Sequence, residues 1–152
     1  MRKRAPRRHC PADPGAFLRA IGLQHGMGDA QQRDLTLLVR AALLALSRGA
    51  GGEQQVFDLA SAVNVALVLC ERGAGPEFEA DLIKAQEALV RTIERGRHTG
   101  RWGFDGPALA ALERALWVYE AQLAVVPCVE ARDAVREVDR RVRQGHVFEV
   151  VR

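Results

Sequence analysis

The stretch GEQQVFDLASAVNVALVLCERG, near the middle of the chain, most constrains the fold. Apolar side chains fill nearly every position in this window except a stripe of Asp58, Ser61 and Asn64, which recur at intervals of three. That spacing places the three polar residues on one side of a helix. A helix that is apolar almost all round belongs at the centre of a bundle or in a subunit interface. The sequence therefore predicts a central helix here.

Further helical patterns occur on both sides of this window, and cap or breaker residues bound them. A short pattern follows Pro14, and a longer one ends at Gly49. Three more follow the central window, the last two separated by Pro127. Apolar residues three and four positions apart mark the predicted core faces. These are Phe17, Leu18 and Ile21; Leu35, Leu38, Ala42 and Leu46; Phe78, Leu82, Ala85, Leu89 and Ile93; Leu109, Leu112, Leu116, Tyr119 and Leu123; and Ala131, Val135, Val138 and Val142.

These patterns predict an all-α fold, an antiparallel helical bundle of about five or six helices with short connections. After Gly145, the stretch HVFEVV alternates β-branched and aromatic residues, which is typical of a short terminal β-strand or an extended tail. A chain of 152 residues has the usual size of one domain. We therefore expect a basic flexible arm over residues 1–12 and a single helical domain over residues 13–152.

The net charge of +3 is unevenly distributed, because the first ten residues carry +5 and the rest of the chain −2. Such an arm could contact nucleic-acid phosphates or an acidic partner through electrostatics that do not depend on sequence. The alternative is a terminus that only increases solubility. The basic residues of the arm are Arg2, Lys3, Arg4, Arg7 and Arg8.

A second basic cluster comprises Arg91, Arg95, Arg97 and Arg101, next to Trp102. Arginines beside an exposed aromatic ring could bind a nucleic-acid backbone and stack a base. Alternatively, they are solvated cations that the dipole of a helix C-terminus favours. The burial of Trp102 and Phe104 distinguishes the two interpretations, because buried rings indicate a connector between packed helices.

The polar stripe of Asp58, Ser61 and Asn64 supports a third hypothesis. Buried polar groups need hydrogen-bonding partners, and an asparagine that faces a second copy of itself can fix the register of a helical interface. The stripe therefore predicts a homodimer interface, with partners inside the same chain as the alternative.

Catalytic and cofactor motifs are missing from the sequence. The glycines of RGRHTGRWGFDGP do not form a phosphate loop, and Asp105 there is better explained as the N-cap of the next helix. The chain contains no HExxH, CxxC or GxSxG pattern. We predict no catalytic residue, no cofactor and no metal site, and hence a protein that is not an enzyme.

The three cysteines lack paired spacing, which favours reduced thiols, and no apolar run approaches the roughly 20 residues of a membrane span. We therefore expect a cytoplasmic protein without membrane contact. The Arg-rich leader RRHCP, the segments DLTLLVRAALLALSRGAG and DLASAVNVALVLCERG, and TGRWGFDGPALAALERALWVYEAQL together resemble small accessory proteins of proteobacterial prophages and mobile elements. The resemblance implies a protein that acts by binding. Our first hypothesis is a helical interaction protein that binds a protein partner; the alternative is a nucleic-acid-binding regulator that uses the arm and the second basic cluster.

Overall fold

The computed structural model describes residues 29–146 of the chain. Within them the chain forms α1 (Asp29–Ser47), α2 (Glu53–Glu71), α3 (Glu79–Thr99), α4 (Gly106–Leu123) and α5 (Cys128–Arg143), with a 3₁₀ turn at Pro76–Phe78. The predicted all-α fold is confirmed. The basic arm, the short helix expected after Pro14 and the HVFEVV stretch lie outside the described residues.

Helix α2 is the centre of the bundle, as its sequence predicts. It packs against α1, α3, α4 and α5. Val56, Leu59, Val63, Ala66 and Leu69 are completely buried along it. Each fully buried leucine or valine stabilises the fold by about 1.5–3 kcal/mol relative to an exposed one. The core therefore lies around α2, and the other four helices surround it.

The predicted helix ends are confirmed at two positions. Gly49 has a left-handed backbone with φ of 70°, and the N–H of Ala50 donates to the carbonyl of Ala45 at 2.9 Å. This is the Schellman geometry that ends a helix at a glycine. At the start of α4, Oδ1 of Asp105 accepts from the N–H of Ala108 at 2.8 Å. Asp105 is thus an N-cap, as expected.

The predicted core face of α1 is wrong by part of a turn. Leu38 was expected in the core but is 54% exposed, whereas Val39 and Leu43 are buried beside Ala42 and Leu46. Leu37 and Leu44 are exposed as well, so the outer side of α1 is apolar. Because apolar residues occupy most positions of this helix, their spacing did not fix which side faces α2.

The predicted face of α5 needs a similar correction. Val135 and Val142 are about half exposed, while Ala131 and Ala134 are buried. Small alanine side chains let α5 approach α2 closely, and the larger valines then lie beside this contact. The faces predicted for α3, with the 3₁₀ turn before it, and for α4 are confirmed, although Leu109 is only partly buried. The buried residues are Phe78, Leu82, Ala85, Leu89, Ile93, Leu112, Leu116, Tyr119 and Leu123.

Candidate functional site

A groove of about 450 Å³ runs over α2, with α3 and α5 on its two sides. We call it the α2–α3–α5 groove. Each helix contributes one large, partly exposed apolar side chain: Phe57 is 40% exposed, Ile83 41% and Val142 49%. More deeply buried residues complete its apolar lining, namely Leu67, Val68, Leu89, Val90, Ile93 and Val138.

Two side-chain amides lie within this apolar lining. Nε2 of Gln86 donates to Oδ1 of Asn64 at 2.6 Å and joins α3 to α2. The Asn64 Nδ2 donor and the Gln86 Oε1 acceptor have no partner in the described part of the chain, and neither is shut off from solvent. Among the described residues, the groove therefore leaves one amide donor and one amide acceptor without a partner beside apolar side chains.

The polar stripe on α2 finds its partners within the chain. Asp58 accepts from Nε2 of Gln54 at 3.0 Å, and the Ser61 hydroxyl donates to the carbonyl four residues earlier at 2.9 Å. Asn64 pairs with α3. These bonds agree with the alternative of internal partners. A homodimer through Asp58, Ser61 and Asn64 stays a prediction.

Ion pairs close one end of the groove. Arg141 donates to both carboxylate oxygens of Glu71, at 2.9 and 2.5 Å, and to Glu137 at 2.7 Å. The hydrogen bond from Arg141 lowers the pKa of Glu71. Arg140 and Arg141 together lower the pKa of Glu137 to about 2. Since Arg141 contacts two carboxylates, its charge is neutralised and the end of α5 is held against α2.

The second basic cluster is partly neutralised by neighbouring groups. Nε of Arg97 pairs with Glu53 at 2.8 Å, across to the start of α2. Arg95 donates to the carbonyl of Gly103 and lies 3.9 Å from the carboxylate of Asp105. Two of the four predicted contact arginines therefore stabilise local structure. The five basic residues of the arm lie outside the described part of the chain.

The other two arginines of this cluster and the two aromatic residues that follow it differ in exposure. Arg91 and Arg101 are exposed. Trp102 and Phe104 are partly buried and pack against the core, and the indole of Trp102 covers Gly96. This placement agrees with the connector interpretation, because the ring face on Gly96 is not available for stacking a base.

A buried polar cluster lies at the junction of α2 and α4 and was not predicted from the sequence. Nε2 of Gln122 donates to the carbonyls of Ala66 and Ala74, at 3.0 and 2.9 Å, and the Cys70 thiol donates to the carbonyl of Gly75 at 3.0 Å. Burial raises the pKa of the Cys70 thiol to about 12. A neutral, buried thiol is a poor nucleophile. We therefore regard this cluster as structural.

The groove itself was also missed. Asn64 could be singled out because it interrupts an apolar helix, but Ile83 and Gln86 look like ordinary residues of a single helical pattern.

Within residues 29–146, no set of three His, Cys, Asp or Glu side chains is arranged to hold a metal ion. Over the same range, none of the helices combines the length and the apolar character that crossing a membrane requires.

Comparison with known proteins identifies no relative of this chain. No protein-family model matches the chain, and no curated protein or solved structure shows significant similarity to it.

Proposed function

We propose that this protein is a non-enzymatic interaction protein whose α2–α3–α5 groove binds an extended, apolar segment of a protein partner. The observation that carries the proposal is the combination of three partly exposed apolar side chains with a free amide donor and acceptor in one groove. Apolar side chains supply affinity in peptide-binding grooves, and convergent polar groups fix orientation.

The apolar contribution to binding comes from side chains on the rim of the groove. Phe57, Ile83 and Val142 each keep a large part of their surface in water. Covering apolar surface contributes about 25 cal/mol per Å² before the entropic costs of binding are subtracted. Contiguous exposed apolar surface on a soluble domain marks an interaction site. A bound segment with apolar side chains at alternate positions would cover these residues.

The amide pair favours an extended ligand over a helical one. In a helix, backbone N–H and C=O groups bond to each other, whereas an extended segment has both groups free. Asn64 Nδ2 can donate to a backbone carbonyl, and Gln86 Oε1 can accept from a backbone N–H. An extended segment in the groove would thus satisfy both amides, as in peptide recognition by main-chain hydrogen bonds.

The experiment is selection from a displayed library of random linear peptides on the immobilised full-length chain. We expect enriched peptides to alternate apolar and polar residues and to bind with micromolar affinity. Val142→Glu places a carboxylate on the rim and should weaken binding at least about tenfold, equivalent to about 1.4 kcal/mol. Affinities can be measured by fluorescence anisotropy with labelled peptides.

A matched control lies on the same helix. Val135 is 55% exposed but does not line the groove. Val135→Glu should leave peptide affinity unchanged. Failure to enrich any peptide, or equal loss of affinity in the two variants, would contradict the proposal.

The alternative function, a nucleic-acid-binding regulator, has less support. Arg95 and Arg97 contact groups of the same chain, and one face of Trp102 covers Gly96. Exposed Arg91 and Arg101, with the basic arm, would supply its electrostatic contacts. A salt-dependent shift of random DNA or RNA that disappears when residues 2–8 are deleted would favour it over peptide binding.

We further propose the setting that the resemblance implies, an accessory protein of a prophage or mobile element that acts in the cytoplasm. Cys70 is a free thiol, which suits a reducing compartment. Inspection of the genes that flank the coding sequence tests this setting, and a location among host housekeeping genes would count against it.

A further inference from the structure

The turn after α5 directs the chain towards the α2–α3–α5 groove. Gly145 has a φ of 77°, its N–H donates to the carbonyl of Val142 at 3.0 Å, and the N–H of His146 donates to the carbonyl of Arg141 at 2.9 Å. This pair of bonds is a Schellman motif, which ends the helix at a defined position and turns the chain away from the helix axis. His146, the first residue after the turn, lines the groove.

From this geometry we infer that residues 147–151 fold back into the α2–α3–α5 groove and occupy it when no partner is bound. The inference rests on the proposed function, because it assigns a ligand from the same chain to the same groove. These residues follow directly on His146, so no linker separates them from the site.

The length of the segment suits the groove. Five extended residues span about 16 Å at about 3.3 Å per residue. The groove follows α2 from Phe57 to Glu71, which is about 21 Å at the helical rise of about 1.5 Å per residue. An extended segment that starts at His146 can therefore cover most of the groove.

The chemistry of the segment suits the groove as well. VFEVV combines β-branched and aromatic residues, which favour an extended backbone. Side chains alternate between the two sides of an extended segment, so Phe148 and Val150 share one side and Glu149 points to the other. With Phe148 and Val150 directed into the groove, Glu149 stays in water and the backbone can meet the amide pair of Asn64 and Gln86.

Residues 147–151 in the groove would limit the access of a partner to it. A segment tethered at the site has an effective concentration in the millimolar range. If the free segment binds with a dissociation constant of about 0.1 mM, occupation in cis weakens the apparent affinity of a competing peptide about tenfold. A partner must then displace residues 147–151 to bind.

The first test is photo-crosslinking of the full-length chain. Ile83→p-benzoylphenylalanine puts the probe on the groove rim, and Val135→p-benzoylphenylalanine puts it outside the groove. We expect only the first to crosslink to residues 147–151 within one chain, located by fragmentation of the tryptic peptide 144–152. Because His146 already lines the groove, a crosslink at residues 144–146 alone would overturn the inference. A crosslink to residues 147–151 of a second copy, seen at the mass of a dimer, would overturn it too.

The second test measures competition. A labelled peptide from the library selection should bind the Phe148→Ser/Val150→Ser full-length variant about tenfold more tightly than the wild type. Glu149→Gln is the matched control, since this side chain points away from the groove, and should leave the affinity unchanged. Equal affinities in all three proteins would overturn the inference and leave the proposed function intact. If no library peptide binds any of them, the proposed function fails, and the crosslink still decides whether residues 147–151 enter the groove.

Discussion

The indole ring of Trp102 lies against Gly96, on the side of α3 where the connector to α4 passes. A Cβ atom added at Gly96 would overlap several atoms of the ring. Gly96 is buried within α3, so its missing side chain makes the recess that the indole fills. The connector is thereby anchored to the bundle through a contact that only glycine permits.

Gly96→Ala should therefore destabilise the protein. In an open helical position, the change from glycine to alanine stabilises a helix by about 1 kcal/mol. Here the overlap with Trp102 costs about 1–3 kcal/mol of repacking, so after the gain of about 1 kcal/mol is subtracted we expect a net loss of up to about 2 kcal/mol. Urea denaturation followed by circular dichroism would measure it.

Gly106→Ala is the control for this prediction. Gly106 is at the start of α4, and a Cβ there meets no atom within 4 Å. We expect the free energy of unfolding to stay the same or to rise slightly. Similar effects at both glycines would show that the indole contact does not determine the outcome at Gly96.

The buried face of a helix could be predicted from the sequence where polar residues mark its exposed side. In α3, charged residues occupy the exposed side, so the spacing of Leu82, Leu89 and Ile93 identified the buried face correctly. In α1, leucine and alanine occur on all sides, so nothing in the pattern distinguished Leu38 from Val39. Only packing against α2 and α4 makes that distinction, and it depends on contacts between residues far apart in the chain.

The candidate site shows the same limit more strongly. Asn64 could be identified from one helix, because it is polar in an apolar stretch. Its partner Gln86 comes from α3, 22 positions further along the chain, and looks like an ordinary surface residue in its own helix. Val142 was expected in the core but lies on the groove rim, because Ala131 and Ala134 make the contact of α5 with α2. A groove between three helices has no signature in any one of them.

A second prediction concerns the buried amide of Gln122. Gln122→Leu removes the donor to the carbonyls of Ala66 and Ala74 and should lower the free energy of unfolding by about 2 kcal/mol. Gln122→Glu should be worse, because the introduced carboxyl group is buried and its ionisation is unfavourable. Its destabilisation should grow as the pH rises from 5 to 8. Chemical denaturation at several pH values would show this, and equal pH dependence in the two variants would contradict the buried position.

A third prediction concerns the ion pair of Arg40 and Glu120, which joins α1 to α4. Nε and Nη2 of Arg40 donate to the two carboxylate oxygens, at 2.6 and 2.8 Å. Because the side chains are 41% and 22% exposed, water and salt screen their attraction. A double-mutant cycle with Arg40→Gln and Glu120→Gln should give a coupling of about 0.5–1 kcal/mol that decreases with added salt. A coupling that does not change with salt would argue against this surface geometry.

A fourth prediction uses the Cys70 thiol as a reporter of packing around α2. Iodoacetamide at pH 8 should modify Cys128, which is partly exposed, and leave Cys70 unmodified until the protein unfolds. Peptide mapping by mass spectrometry distinguishes Cys70 and Cys128 from each other and from Cys10. Modification of Cys70 at the rate of Cys128 under native conditions would contradict its burial.

The same thiol should make stability depend on pH in the alkaline range. Burial raises its pKa from 9.0 to about 12, so the fold stabilises the neutral form. This contribution is complete below about pH 9 and is lost as the pH rises towards 12, with a slope of at most about 1.4 kcal/mol per pH unit. Cys70→Ala should therefore show a shallower alkaline decline than the wild type. Tyr119, whose pKa burial also raises, is present in both proteins, so the difference between their slopes isolates the thiol.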